Sequence, residues 1–362
     1  MRKILFSLFA SLVAVGCAPS LDEKLGQLLV VGFVGTTPDS VVTSAIEECG
    51  VGGVIFFDMN LSDNLGVRNV ESPSQLSALC SSLQDIAHRS GLPELFLCID
   101  QEGGLVNRLK PIYGFPATRS AWELGRVGFT DSTFAASVAT ACTLRELGVN
   151  VNFAPCVDLN INRENPIIAG KERAFSSVAD SVYLHSKAWV EGHDSLGVIT
   201  SLKHFPGHGS SVKDSHLGLV DITETWSDDE LTPYRRMIEG GYNDIVMIGH
   251  LFNSNLDDEY PASLSKKTID ILRKDMGYNG VIATDDMNMG AIVEHYSLEH
   301  ALELALNAGV DMIIMGNNAA EFEADFSHRT LSILRSLVKS GKVSEARIDE
   351  AYNRIRQLKS KL

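Results

Sequence analysis

The segment Lys203-His204-Phe205-Pro206-Gly207-His208-Gly209, followed closely by Asp214-Ser215-His216, concentrates more potential chemistry than any other part of the chain. Its glycines and proline make a loop rather than a helix. Three histidines and an aspartate within fourteen residues suit either a metal site or acid/base work. An imidazole titrates near neutrality, and a carboxylate two residues away, as Asp214 is from His216, can orient it and stabilise its charged form. The metal reading is weaker. Zinc-dependent barrel hydrolases usually begin with a His-x-His pair on the first strand, and the first strand-like run, Leu28–Phe33, has no histidine. A second block, Ala283-Thr284-Asp285-Asp286-Met287-Asn288-Met289-Gly290, places adjacent carboxylates at a strand end. Strand side chains alternate, so one of the two must face the opposite way from the other. A carboxylate nucleophile with a separate acid/base partner is the arrangement for retaining glycoside hydrolysis.

Such groups need a frame that brings distant segments to one place. Eight short apolar runs recur: Leu28–Phe33, Gly53–Phe57, Leu95–Ile99, Val149–Phe153, Val198–Leu202, Asp244–Ile248, Gly280–Ala283 and Asp311–Met315. Their continuous hydrophobicity is that of strands buried on both faces of a parallel sheet. Helical patterns lie between them, among them Gln75–His88, Phe134–Leu147, Ala179–His193, Lys266–Met276 and Leu298–Ala308. Gly50, Gly91, Gly148, Gly197, Gly241, Gly277 and Gly309 stand where a left-handed residue closes a helix. Ser74, Ser227 and Ser265 are candidate N-caps, and Ser227 with Glu230 has capping-box spacing. Eight βα units predict an α/β fold, a single (β/α)8 TIM barrel with parallel strands. An open doubly wound sheet is the alternative, but its G-x-G-x-x-G fingerprint is missing after the first strand. In a barrel the active site occupies the C-terminal strand ends. Those ends carry Asp100-Gln101-Glu102, Asp158, Lys203-His204, His250 and Asp285-Asp286. The role of His250 is left open.

The 362 residues carry a net charge of −15, with 44% hydrophobic and 21% charged residues. That composition excludes disorder and coiled coil. The acidic balance, without a basic stripe, argues against nucleic-acid binding. Arg2 and Lys3 precede an apolar stretch, Ile4–Val15, too short to span a bilayer and readable as an export signal. It ends in Ala14-Val15-Gly16-Cys17, similar to a bacterial lipobox, so residues 1–16 are expected to be a signal peptide and Cys17 a lipidated N-terminus. Ordinary cleavage near Ala18 is the alternative. The expected location is the bacterial cell envelope, with contact to the membrane only through that lipid. Cys49, Cys80, Cys98, Cys142 and Cys156 show neither a disulfide framework nor a zinc ribbon and are expected to be buried free thiols. The terminal Ser360-Lys361-Leu362 matches a peroxisomal address only by coincidence.

The Lys-His-Phe-Pro-Gly-His-Gly and Asp-Ser-His segments resemble the signature loop of family 3 glycoside hydrolases, specifically the bacterial β-N-acetylglucosaminidase branch. Ile99-Asp100-Gln101-Glu102-Gly103-Gly104 and Thr284–Ile292 match two further blocks of that family. The resemblance implies one catalytic domain over residues 17–362. Asp285 would be its nucleophile, His216 its general acid/base and Asp214 the group that orients His216. Asp100, Arg108, Arg173, Lys203 and His204 would bind the sugar. It implies no cofactor, no metal and a monomer acting on a carbohydrate with terminal β-linked N-acetylglucosamine. The chain departs from the family pattern at Leu105, Ala174 and Leu219-Val220, none of them a proposed catalytic group. Many β-glucosidases of the family take a catalytic Glu from a second domain, whereas this chain has a His-containing loop and ends soon after its last barrel helix. A β-glucosidase, a glycan-binding lipoprotein without turnover, a metal-dependent amidohydrolase, and phosphate replacing water as acceptor are the alternatives.

Overall fold

A computed structural model describes residues 19–61, 66–213, 218–318 and 322–362. Eight strands form one sheet: β1 (Leu29–Gly32), β2 (Gly53–Phe56), β3 (Phe96–Ile99), β4 (Val151–Asn152), β5 (Ile199–Phe205), β6 (Ile245–Ile248), β7 (Val281–Thr284) and β8 (Ile313–Met315). Every pairing is parallel, in the spatial order β8-β1-β2-β3-β4-β5-β6-β7. A parallel bridge between Ala283 and Met312 brings β7 back to β8. The Met312 amide donates to the Ile282 carbonyl and the Thr284 amide to the Met312 carbonyl, both at 3.0 Å. The sheet is therefore a closed (β/α)8 barrel, as expected. Every residue of these eight strands is buried, which is why the runs are apolar without alternation.

All seven punctuating glycines have positive φ, from +61° at Gly50 to +118° at Gly309. Helix Leu298–Ala308 has the expected bounds, and Lys266–Met276 divides into an α-turn, Lys266–Asp270, and a π-turn, Ile271–Asp275. Two caps differ from expectation. Ser72, not Ser74, caps helix Pro73–Arg89, because Pro73 takes the first helical position and Ser72 Oγ reaches the Gln75 amide. Ser227 makes no side-chain cap bond, and Glu230 turns inward rather than back to it. Ser265 does cap, accepting from the Thr268 amide. Four cysteines are buried thiols, but Cys142 is exposed on the outer face of helix Thr130–Leu147.

Two further departures shape the strand-end face. β5 runs past Leu202 to Phe205, with a register shift between those residues. Lys203 and His204 are thus inside the strand, and the extra length lets both reach the barrel mouth. A short parallel ribbon, Val220–Asp221 with Leu251–Phe252, joins the excursions after β5 and β6. At the opposite end, the buried Asp311 meets Arg273, Arg347 (2.7 Å) and Arg354 (3.1 Å), tying the last helix to the start of β8.

Candidate active site

The C-terminal ends of β3, β4 and β5 carry one connected ionic network. Asp100 follows β3 directly, and its Oδ1 accepts from Lys203 Nζ at 2.7 Å. Lys203 also donates to Glu102 at 2.7 Å, and Arg173 grips Glu102 through Nε and Nη2, both at 2.8 Å. Arg173 Nη2 reaches His204 Nε2 at 3.0 Å, while His204 Nδ1 faces Asp158 Oδ2 at 2.7 Å. A guanidinium can only donate, so Nε2 of His204 must accept and Nδ1–H must donate to Asp158. The tautomer of His204 follows from its neighbours.

Burial works to raise the Glu102 carboxyl, but Arg173 and Lys203 hold it at about 2. Asp158 is likewise held far below the usual range: burial opposes, and His204 and His208 prevail. Lys203 and Arg173 are raised despite burial, by Asp100 and Glu102 for the lysine and chiefly by Glu102 for the arginine. Asp100, Glu102, Arg173 and Lys203 are paired charges out of water, each keeping its partner ionised, whereas Asp158 is held by hydrogen bonds from the His204 ring and the His208 amide.

Arg108 is placed by backbone capture. Gln101 Oε1 accepts the amides of Arg108 (3.1 Å) and Leu109 (3.0 Å), folding the loop after β3 back on itself. The guanidinium then lies 3.8 Å from Asp100 and 3.6 Å from Asp58, above the Phe57 ring. Asp58 also pairs with Lys110. Asp285 follows β7, its amide bonded to the Ile248 carbonyl and its Oδ1 accepting the Asp286 amide at 2.8 Å. The two carboxylates part as strand alternation requires. Asp286 Oδ1 takes the amides of Gly316 (2.8 Å) and Asn288 (3.0 Å), fastening the turn to the end of β8. A Cβ on Gly316 would lie 2.3 Å from Asp286 Oδ2, so only glycine fits there. His250, whose role was open, is buried and contacts Ser263 Oγ (2.7 Å) and the Asp286 carbonyl (3.0 Å), bracing the same turn.

Six of the expected site residues, Asp100, Arg108, Arg173, Lys203, His204 and Asp285, thus gather at one end of the barrel. Asp214 and His216 lie outside the described residues, as do Cys17 and the export signal. Sequence reasoning did not assign site roles to Glu102, Asp158, Asp58, Lys110 or Arg68. The first two stand at named strand ends, and Asp58 directly follows the apolar run Gly53–Phe57, where the same rule finds it. Arg68 has no motif. It is fully buried, donates to Asn60, Asn318 and the carbonyls of Gly316 and Asn317, and is lowered to about 10 by burial against the opposing charge of Asp286.

Cys156, Asp158 and His204 bring three potential ligand atoms within 4.8 Å of one another. The 2.7 Å from Asp158 to His204 is a hydrogen bond, shorter than the spacing of two ligands around a tetrahedral zinc. A cavity of about 390 Å³ on the barrel flank, lined by Phe115, Ala136 and Trp189, shares only Gln101 with these groups.

A closed (β/α)8 barrel with paired carboxylates and cations at its C-terminal strand ends has the frame of a barrel enzyme, whose active site lies at that end. Residues 20–358 match the glycosyl hydrolase family 3 N terminal domain, and the chain belongs to that family. It is 34% identical over 304 residues to a beta-hexosaminidase of Nitrosomonas eutropha, covering 81% of each chain. To beta-hexosaminidase A of Pseudoalteromonas piscicida it is 31% identical, over 90% of this chain and 56% of the other. Among solved structures, a family 3 beta-N-acetylglucosaminidase from Paenibacillus superposes with a TM-score of 0.86 at 34% identity, over 95% of this chain and 63% of that one. The chain thus spans just over half to under two thirds of the length of these last two relatives.

Proposed function

We propose that the protein is an exported exo-glycosidase that removes terminal β-linked N-acetylglucosamine with retention of configuration. The observation that carries this reading is the single network Asp100–Lys203–Glu102–Arg173–His204–Asp158 at the same barrel end as the separately held Asp285. It supplies fixed donors and acceptors for sugar hydroxyls at the barrel end that also carries the Asp285 carboxylate. Asp285 attacks the anomeric carbon while His216, oriented by Asp214, protonates the departing oxygen. The bond from carbon to that oxygen breaks as the glycosyl ester forms. His216 then takes a proton from water, whose oxygen attacks the same carbon and frees Asp285. The substrates are envelope glycans such as peptidoglycan fragments, reached by an enzyme held at Cys17 by lipid.

The test is release of p-nitrophenol from the β-N-acetylglucosaminide and the β-glucoside by the full chain and by Asp285→Asn. Turnover of the first substrate, lost in the variant, supports both branch and nucleophile. Preference for the glucoside moves the chain to the other branch, and no turnover with sugar binding intact makes it a glycan receptor. Incorporation of a labelled fatty acid, abolished by Cys17→Ala, tests the anchor.

A further inference from the structure

Beyond β5 the chain passes through Pro206–Ser211 before reaching the positions of the proposed acid/base pair. This stretch is held from several sides. Asp158 Oδ1 accepts the His208 amide at 2.8 Å, and Asn165 Nδ2 donates to the His208 carbonyl at 2.8 Å and to Ser211 Oγ at 3.0 Å. Trp226 Nε1 donates to the Pro206 carbonyl at 3.0 Å. From beneath comes Glu230, 1% exposed, whose Oε2 accepts the Gly209 amide at 3.0 Å. The packing dictates residue type. A Cβ on Gly207 would sit 2.6 Å from the Glu230 Cβ, and one on Gly209 would sit 1.7 Å from the Leu159 carbonyl oxygen.

Glu230 makes no capping bond in its own turn, and its buried carboxyl is turned to the Gly209 amide and to Ser210. An apolar side chain would fill the space at lower desolvation cost. What the carboxyl adds is an acceptor aimed at the root of the loop.

We propose that Glu230 is a positioning residue for the glycosidase reaction: it fixes Gly207–Gly209, and through them the Asp158–His204 pair and the origin of the segment bearing Asp214 and His216. This rests on the functional reading above. Burial, aided by the charge of Asp158, pushes the Glu230 carboxyl up to about 7. Its titratable neighbours are Asp158 from the loop after β4 and Tyr234 from the following helix, with Asp228 and Asp229 on its own turn. Ionisation sets a second buried anion near Asp158, at a cost to the stability of the clamped loop. The folded-state value lies above the ordinary 4.5, so the stabilisation is complete below that value and is lost as pH rises through about 7.

The experiment measures kcat, KM and thermal midpoint for the full chain, Glu230→Gln and Glu230→Ala on p-nitrophenyl β-N-acetylglucosaminide between about pH 5 and 9. Glu230→Ala is expected to lower kcat about 10-fold or more while KM changes less than about 3-fold. Glu230→Gln, a neutral acceptor of the same shape, should keep kcat within about 3-fold near pH 6 and lose less of it on the alkaline side. Its thermal midpoint should also fall less than the parent's as pH rises through about 7. An alanine variant with kcat within about 2-fold of the parent, or glutamine as damaging as alanine, overturns the proposal. Should alanine fail to fold, a glutamine variant with the parent's pH profile overturns it. Absence of turnover in the parent sinks the functional reading first, and is seen before any variant is made.

Discussion

Glu102→Gln removes the negative charge from the centre of the strand-end network and leaves its shape. Glu102 accepts two bonds from Arg173 at 2.8 Å and one from Lys203 at 2.7 Å. Its carboxyl is held at about 2 against an ordinary 4.5. At about 1.4 kcal/mol per pH unit, that gap makes the ionised form worth about 3 kcal/mol to the fold. Glutamine offers one oxygen and presents an amide NH2 to the other cation. Lys203 keeps Asp100, but Arg173 keeps only His204 and a weakened partner. A buried cation stripped of its counter-charge costs about 3–5 kcal/mol, so both routes give a similar figure. Urea denaturation at neutral pH should show the variant less stable by about 3 kcal/mol. The folded value is depressed, so the carboxylate's contribution is fully present above 4.5 and is lost as pH falls toward about 2. The gap between parent and variant must therefore narrow on acidification. A loss below about 1 kcal/mol at pH 7, or a gap that does not narrow, refutes the assignment of this network as a mutually stabilising unit.

Asp285→Asn should cost about 10³-fold or more in kcat with an unchanged circular-dichroism spectrum, and comparable turnover removes it as nucleophile. Asp158→Asn should lower kcat about 100-fold by releasing the His204 ring, measured with the same substrate, and activity near the parent level makes the pair structural only. Asp311→Asn leaves three arginines facing a neutral amide at the far end of the barrel. It should cost about 3 kcal/mol or more in denaturant unfolding while kcat below the transition stays normal; a matched loss of kcat contradicts a purely structural role.

The frame was legible because two local signals coincide. Continuous apolar runs marked all eight strands, and glycine at helix ends marked seven left-handed closures with φ confirmed positive at each. What escaped depends on partners distant in sequence. Val149–Phe153 has the apolarity of a five-residue strand, yet only Val151 and Asn152 pair in β4. β5 gained Lys203–Phe205 because its ladder with β6 resumes after an irregularity. Glu230 had capping spacing, but the Gly209 amide outcompeted its own turn. Ser74 lost to Ser72 once Pro73 took the first helical position. In the site, residues one step beyond a strand were found by rule. Glu102, three residues past Ile99, was recognised as part of a motif but not as the hub of the network. Arg68 could not be read at all, since its partners come from both its own loop and the end of β8.

Among the described residues, the charges at the barrel mouth are paired across opposite signs. Among the described residues, five cations, Arg68, Arg108, Lys110, Arg173 and Lys203, face six carboxylates, Asp58, Asp100, Glu102, Asp158, Asp285 and Asp286, so the two signs are interleaved there. Exposure then divides the network into two layers. Lys203, Arg173 and His204 show 2%, 9% and 6% of their side chains, whereas Asp100 shows 17% and Arg108 28%. The buried layer fixes the protonation and direction of the outer one, because each inner charge already has its partner. With Lys110 beside them, Asp100 and Arg108 make an outer layer that offers an acceptor and donors next to each other to whatever hydroxyls arrive. Directional donors and acceptors held without reorganisation are what distinguish one sugar hydroxyl configuration from another. The buried pairs contribute little net stability over an apolar core; their physical consequence is a polar surface that cannot rearrange when the sugar leaves.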